Sequence, residues 1–156
     1  MMIFKEGSKA PSFTVLNQGG EKVSLKDFQG KWLILYFYPK DNTPGCTIEA
    51  KDFTKLKKEF EKMNAVVVGV SKDSVKSHCS FIEKQELEIE LLSDENQEML
   101  EKYHVWGKKK FMGREFMGII RSTFLIDPES KIRVEWSSVK VKGHAQEVLK
   151  KLKELG

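Results

Sequence analysis

The amino-acid sequence predicts an α/β protein with a mixed central sheet flanked by helices, and three observations carry that prediction. Two almost wholly apolar runs, Trp32 to Tyr38 and Ala65 to Val70, have the continuous hydrophobicity of strands buried on both faces. After each of them, apolar residues return at three- and four-residue steps, the period of an amphipathic helix. Further on, Ile120 to Ile126 and Lys131 to Trp136 flank the turn Asp127-Pro128-Glu129-Ser130, the pattern of an antiparallel pair.

From the N-terminus, Phe13 to Leu16 and Glu21 to Ser24 flank Gln18-Gly19-Gly20 and predict a β-hairpin. Ser24 is placed to cap a short helical turn that Gly30 ends. The strand 31–38 leads into a turn from Pro39 to Gly45. From Cys46 to about Met63, the residues Phe53, Leu56, Phe60 and Met63 predict one amphipathic helix with its lysines outside. Beyond the strand 65–70, Ser74 to about Glu86 predicts a helix with Val75, Cys79 and Ile82 on one apolar stripe. Leu91-Leu92 then reads as a short strand and Asn96 to Tyr103 as a helix. Residues 104–119, with Gly107, Gly113 and Gly118, read as an irregular stretch kept packed by Trp106, Phe111, Phe116 and Met117. Gly143 precedes a last helix whose Ala145, Val148, Leu149 and Leu152 can cover the sheet. Because helical crossovers are right-handed, the strands 31–38 and 65–70 are expected to be parallel. The whole is an α/β sandwich of thioredoxin-like type with an N-terminal hairpin.

At 156 residues the chain suits a single domain spanning 1–156. With 40% hydrophobic and 32% charged residues it has a soluble globular composition, and its longest apolar run, Trp32 to Tyr38, is far too short to cross a bilayer. The segment Met1 to Gly7 lacks the apolar core of an export signal, so the expected compartment is the cytoplasm. There, two cysteines read as reactive or buried thiols instead of a disulfide scaffold. The net charge of +4 is modest, and Lys108-Lys109-Lys110 reads as a solvated loop, not a nucleic-acid patch. His78, His104 and His144 show no ligand spacing with Cys46 or Cys79, so neither a metal site nor a cofactor is expected.

The chemistry concentrates at Cys46, which a Pro- and Gly-punctuated turn places at the start of a helix. Unpaired N–H groups and the positive end of the helix dipole favour the thiolate there, and thiolate is the reactive form of cysteine. Thr43 stands where its hydroxyl can lie beside the sulfur or cap the helix at Pro44. The spacing of Pro39, Thr43 and Cys46, P-x-x-x-T-x-x-C, resembles the peroxidatic loop of the peroxiredoxins. The stretch Pro44-Gly45-Cys46-Thr47-Ile48-Glu49-Ala50 narrows the likeness to the bacterioferritin-comigratory-protein, or Q-type, branch. Tyr103 to Gly107 and Arg121-Ser122-Thr123-Phe124-Leu125-Ile126-Asp127 agree in order and spacing, and the resemblance spans residues 5–155.

That resemblance implies a thiol peroxidase in which Cys46 attacks the O–O bond of a hydroperoxide, giving a sulfenic acid and releasing water or an alcohol. An ordinary thiol is about 3% thiolate at pH 7, so complete ionisation gains only about 30-fold. The rest must come from donors to the leaving oxygen, each worth roughly 10²–10³ in rate. Arg121, the Thr43 hydroxyl and the N–H groups around Gly45 and Cys46 are the candidates, with Pro39 shaping the loop and shielding the sulfur. Glu49 either supports these groups by a hydrogen bond or is simply solvated. The family further implies hydrogen peroxide and small organic hydroperoxides as substrates, thioredoxin or a similar dithiol as reductant, and a monomer. Trp106, Phe111 and Phe116 offer a weak dimer contact.

One departure from the family is plain: many members carry a second cysteine five residues after the first, where this chain has Lys51. Others use one in the following helix, about a turn beyond Cys79. Cys79 is therefore either the resolving partner or a small apolar residue of the Val75/Ile82 stripe, and a one-cysteine cycle stays open. A non-enzymatic peroxide sensor or chaperone-like protein would share the Cys46 oxidation. A thioredoxin-like disulfide exchanger is disfavoured, because Glu49 stands where C-x-x-C needs its second cysteine. If Cys79 resolves, packed helices about 8–10 Å apart leave the reduced pair beyond the roughly 7 Å reach of a disulfide, so a helix end must unwind.

Overall fold

The computed structural model describes residues 3–156, so Met1 and Met2 of the N-terminal segment lie outside the described residues. Strands β1 (Thr14–Asn17) and β2 (Lys22–Ser24) form the predicted hairpin. Ser24 is the N-cap of the following 3-10 turn, Leu25–Phe28, as predicted, in a capping box with Asp27. The Asp27 carboxylate accepts the Ser24 N–H at 2.9 Å, while the Ser24 hydroxyl pairs with Thr14 Oγ1 at 2.8 Å.

Strand β3 (Trp32–Phe37) runs parallel to β4 (Ala65–Ser71), which runs parallel to β5 (Glu90–Ser93). On its other side β3 pairs antiparallel with β8 (Ser122–Ile126), and β8 with β9 (Ile132–Trp136). One mixed sheet results, in the order β2-β1-β5-β4-β3-β8-β9, with the thioredoxin-like architecture that the sequence predicts. The alternation of side chains splits the core into two layers. Ile34, Tyr36, Phe53, Phe60 and Phe81 pack on one face, while Leu33, Leu35, Phe37, Leu100 and Tyr103 pack on the other.

The helix expected from Cys46 to Met63 is two helices, α1 (Pro44–Lys55) and α2 (Lys57–Lys62), joined at Leu56, where φ is −95° and ψ is 4°. The break lets both Phe53 and Phe60 reach the sheet, and the apolar period runs through it unchanged. In α3 (Val75–Gln85) the buried side chains are His78 and Phe81, not a Val75/Cys79/Ile82 stripe, and Cys79 is exposed. Helix α4 (Glu98–Lys102) is shorter than predicted.

Residues 104–119 are not irregular. They form a second, two-stranded sheet, β6 (Trp106–Phe111) and β7 (Arg114–Ile119), turning through Met112 and Gly113, both at positive φ. Phe111, Met112, Phe116 and Met117 are exposed, Phe111 by 68% and Met112 by 88%, so the predicted packing holds only for Trp106. Lys108 to Lys110 belong to β6 and not to a loop; Lys108 and Lys110 flank Glu115, and the Lys109 ammonium donates to the Ile119 carbonyl at 2.8 Å. Helix α5 (His144–Leu155) buries Ala145, Val148, Leu149 and Leu152 on the sheet as predicted. Among the described residues no helix is long and apolar enough to cross a membrane.

Candidate active site

Strand β3 and helix α1 place Cys46. The β3 side chains are buried on both faces, so the strand is rigidly held up to Phe37, and the Tyr38 N–H continues the ladder to the Val70 carbonyl at 3.1 Å. The chain then turns through Asn42, whose φ of 61° is tolerated because a short polar side chain can sit in the left-handed region. Thr43 is extended and Pro44 occupies the first helical position, where its missing N–H costs nothing. The first helical bond runs from the Thr47 N–H to the Thr43 carbonyl at 2.9 Å.

Contrary to the expectation from the sequence, the Thr43 hydroxyl neither hydrogen-bonds to the sulfur nor caps the helix. It donates backwards to the Lys40 carbonyl at 2.8 Å and so pins the loop. With no side-chain cap, the N–H groups of Gly45 and Cys46 have no protein acceptor among the described residues and stay available beside the thiol. Cys46 itself is only 2% exposed.

Arg121 comes from the residue just before β8, not from within the strand; the register of Ser122 against Phe37 carries it to the end of β3. Its Nη2 donates to Cys46 Sγ at 3.3 Å and its Nη1 donates to Glu49 Oε1 at 2.6 Å. Glu49 lies on the inner side of α1, 1% exposed, so it is not a solvated residue. Its second oxygen has no hydrogen-bond partner. Burial pushes the Glu49 carboxyl up to about 7, and the Arg121 guanidinium pulls it back only part of the way. For Arg121 burial opposes the charge, but Cys46 and Glu49 together outweigh it and hold the guanidinium above its ordinary range.

Gly45 eases this approach, since a Cβ there would stand 3.3 Å from Arg121 Nη2 and press the guanidinium back by a few tenths of an ångström. Pro39 is half-buried at the exit of β3. The two cysteines are both free, and only Cys46 points into this cluster.

The sequence reading missed several polar residues around the site. His78 is wholly buried, with Nδ1 facing Asp41 Oδ2 at 2.8 Å and Nε2 facing the Leu92 carbonyl at 2.9 Å. His144, at the start of α5, faces Thr123 Oγ1 at 2.8 Å; burial first, then Arg121, lowers its pKa to about 4, so it is neutral at pH 7. Lys109 is held below the ordinary lysine range by burial first and then by Arg121, against an opposing pull from Cys46. A histidine one helical turn after Ser74 and directly after Ser77 is the signal that would have found the first of these.

The AhpC/TSA family profile matches residues 7–135. A peroxiredoxin Bcp of Helicobacter pylori strain J99 is 51% identical over 146 residues, covering 94% of this chain and 96% of its own length. Peroxiredoxin Bcp of Bacillus subtilis is 47% identical over 154 residues, 99% of this chain and 98% of its own. The solved structure of Xanthomonas campestris bacterioferritin comigratory protein, studied for its alkyl peroxide reduction activity, superposes with a TM-score of 0.87 at 44% identity, covering 91% of this chain and 90% of that one. With a buried thiol under an arginine at an open helix end, and with relatives of this closeness along nearly its whole length, the chain belongs to the AhpC/TSA family as a peroxiredoxin of the Bcp or Q type, a thiol peroxidase.

Proposed function

We propose that the chain reduces hydrogen peroxide and small alkyl hydroperoxides with Cys46 as nucleophile, and the observation that carries this is the Arg121 guanidinium bridging Cys46 Sγ at 3.3 Å and Glu49 at 2.6 Å. The Cys46 thiolate attacks the terminal peroxide oxygen; the O–O bond breaks, the S–O bond forms, and the electron pair leaves on the other oxygen as alkoxide or hydroxide. That oxygen takes a proton and departs as alcohol or water, leaving Cys46 sulfenic acid. Charge grows on the leaving oxygen, where Arg121 and the free N–H groups of Gly45 and Cys46 stabilise it. Thr43 fixes the loop through Lys40, and Pro39 shields the sulfur. Glu49 orients Arg121.

Cys79, exposed on α3, then resolves the intermediate: its thiol displaces the sulfenic oxygen as water and forms the Cys46–Cys79 disulfide. Thioredoxin or a similar dithiol reduces that bond and is itself oxidised to a disulfide. Cys46→Ser should abolish peroxide consumption with the fold intact, because a hydroxyl at neutral pH is neither ionised nor comparably nucleophilic. Substantial residual turnover would refute the role of Cys46. Peptide mass spectrometry after peroxide treatment separates the two cycles. An intramolecular disulfide that thioredoxin removes supports Cys79 as resolving residue, whereas sulfinic acid or intermolecular disulfides alone would indicate a one-cysteine enzyme.

A further inference from the structure

The β6–β7 hairpin carries four of the seven large apolar side chains that are exposed among the described residues, namely Phe111, Met112, Phe116 and Met117. None of them belongs to the Cys46 site. Every residue from Lys110 to Met117 is exposed, on a ribbon whose successive side chains point to opposite faces. The register sets Phe116 opposite Lys109 and Phe111 opposite Arg114 on one face, and Met117 opposite Lys108 and Glu115 opposite Lys110 on the other. Met112 stands at the turn between them. The apolar surface therefore wraps the tip instead of lying on one side of it. A protein partner or a second copy covers one face of such a ribbon and leaves the other in water, whereas a medium that surrounds the tip covers all of it.

Charge complementarity names the medium. Over residues 106–119 four cations, Lys108, Lys109, Lys110 and Arg114, stand against one carboxylate, Glu115, which Lys108 and Lys110 share loosely at 3.6 and 4.0 Å. An apolar tip with cations just behind it is the pattern of segments that enter the headgroup region of a bilayer. Neither part suffices by itself, because so small an apolar tip inserts only marginally and each cation near an anionic surface multiplies the partition by only about fivefold. Together they do. We propose that the β6–β7 hairpin docks on anionic phospholipid bilayers, with Phe111 and Met112 entering the headgroup region and Lys108, Lys110 and Arg114 pairing with lipid phosphates. β7 ends at Ile119, two residues before Arg121, so a docked hairpin keeps the Cys46 site near the lipid surface.

Co-sedimentation of the full chain with vesicles tests this. On phosphatidylglycerol and phosphatidylcholine in equal parts, at about 0.05 M salt, the partition coefficient should be at least about tenfold that on phosphatidylcholine alone, and about 0.5 M salt should cancel the difference. Equal partition onto both vesicles, or none onto either, would overturn the proposal. Two variants separate its parts, each shown to be folded by thermal unfolding and by hydrogen peroxide consumption within about twofold of wild type. Phe111→Ser with Met112→Ser should lower binding to the anionic vesicles about tenfold, and Lys108→Ser, Lys110→Ser and Arg114→Ser together should remove the anionic preference. Unchanged binding by the first variant would mean that charge acts without insertion, and would count against the tip. Light scattering of the lipid-free chain adds a last check: a dimer that the Phe111/Met112 variant dissociates would make the tip a subunit contact and overturn the proposal, whereas an assembly state unchanged by it supports a tip reserved for lipid.

Discussion

Arg121 serves two acceptors at once, and a planar fork of donors is what allows it. One Nη meets the sulfur and the other meets Glu49, a division that a single ammonium cannot reproduce. Arg121→Lys should therefore lower the second-order rate with hydrogen peroxide by roughly 10²–10³, as measured by stopped flow, even though the charge is kept. Glu49 adds a pH dependence. With its carboxyl at about 7, the Arg121 partner ionises as pH rises through neutrality, and the rate should show a limb there that Glu49→Gln removes. The folded state keeps a proton that the unfolded chain, with an ordinary value of 4.5, has already released, so stability falls as pH rises from 4.5 to about 7. Urea unfolding of wild type and Glu49→Gln across that window checks it, and parallel profiles would refute the assignment.

At the scale of elements, the sheet is most exacting where β3, β4 and β5 lie side by side. A Cβ on Gly69 would stand 2.8 Å from Tyr36 Cζ and 2.9 Å from Leu91 Cδ2, both side chains fully buried. Gly69→Ala should destabilise the fold by about 1–3 kcal/mol through overpacking, read as a lower urea midpoint at unchanged slope. The β6–β7 hairpin is the opposite case. Because Phe111 and Met112 are solvent-exposed, replacing both by Ser should change stability by no more than about 0.5 kcal/mol, whereas the packed loop expected from the sequence would have predicted a large loss. That hairpin escaped the sequence reading for two physical reasons. Its turn is Met112-Gly113, without the Asn or Asp that usually announces positive φ, and its lysines break the apolar alternation of a half-buried strand.

Across the whole molecule, α5 is joined to the sheet next to the site by His144, which faces Thr123 of β8 and touches Phe53 and Trp136 edge-on. Its imidazole stays neutral in the folded state down to about 4, while the unfolded chain takes up a proton near 6.5. Stability is accordingly lost as pH falls through that window, against the trend set by Glu49. His144→Gln retains a polar partner for Thr123 but cannot titrate, so the drop in melting temperature between pH 7 and pH 5 should be smaller in the variant than in wild type.

The sequence by itself determined the order and kind of the main strands, the parallel pairing of β3 with β4, and the placing of Cys46 at a helix start. The strands and the helix start follow from local period and turn chemistry, which are written in neighbouring residues, and the parallel pairing follows from the right-handedness of a helical crossover. It also singled out Arg121 and Glu49, but only the register of β8 on β3 decided that the two meet each other and the sulfur. The face of α3 was likewise a tertiary decision. By hydrophobicity alone Val75, Cys79 and Ile82 form as good a stripe as any, yet His78 goes inside because Asp41 and the Leu92 carbonyl, both far from it in sequence, satisfy its two nitrogens, and Cys79 is thereby turned to the surface. Burial of a polar group depends on partners that sequence spacing does not reveal.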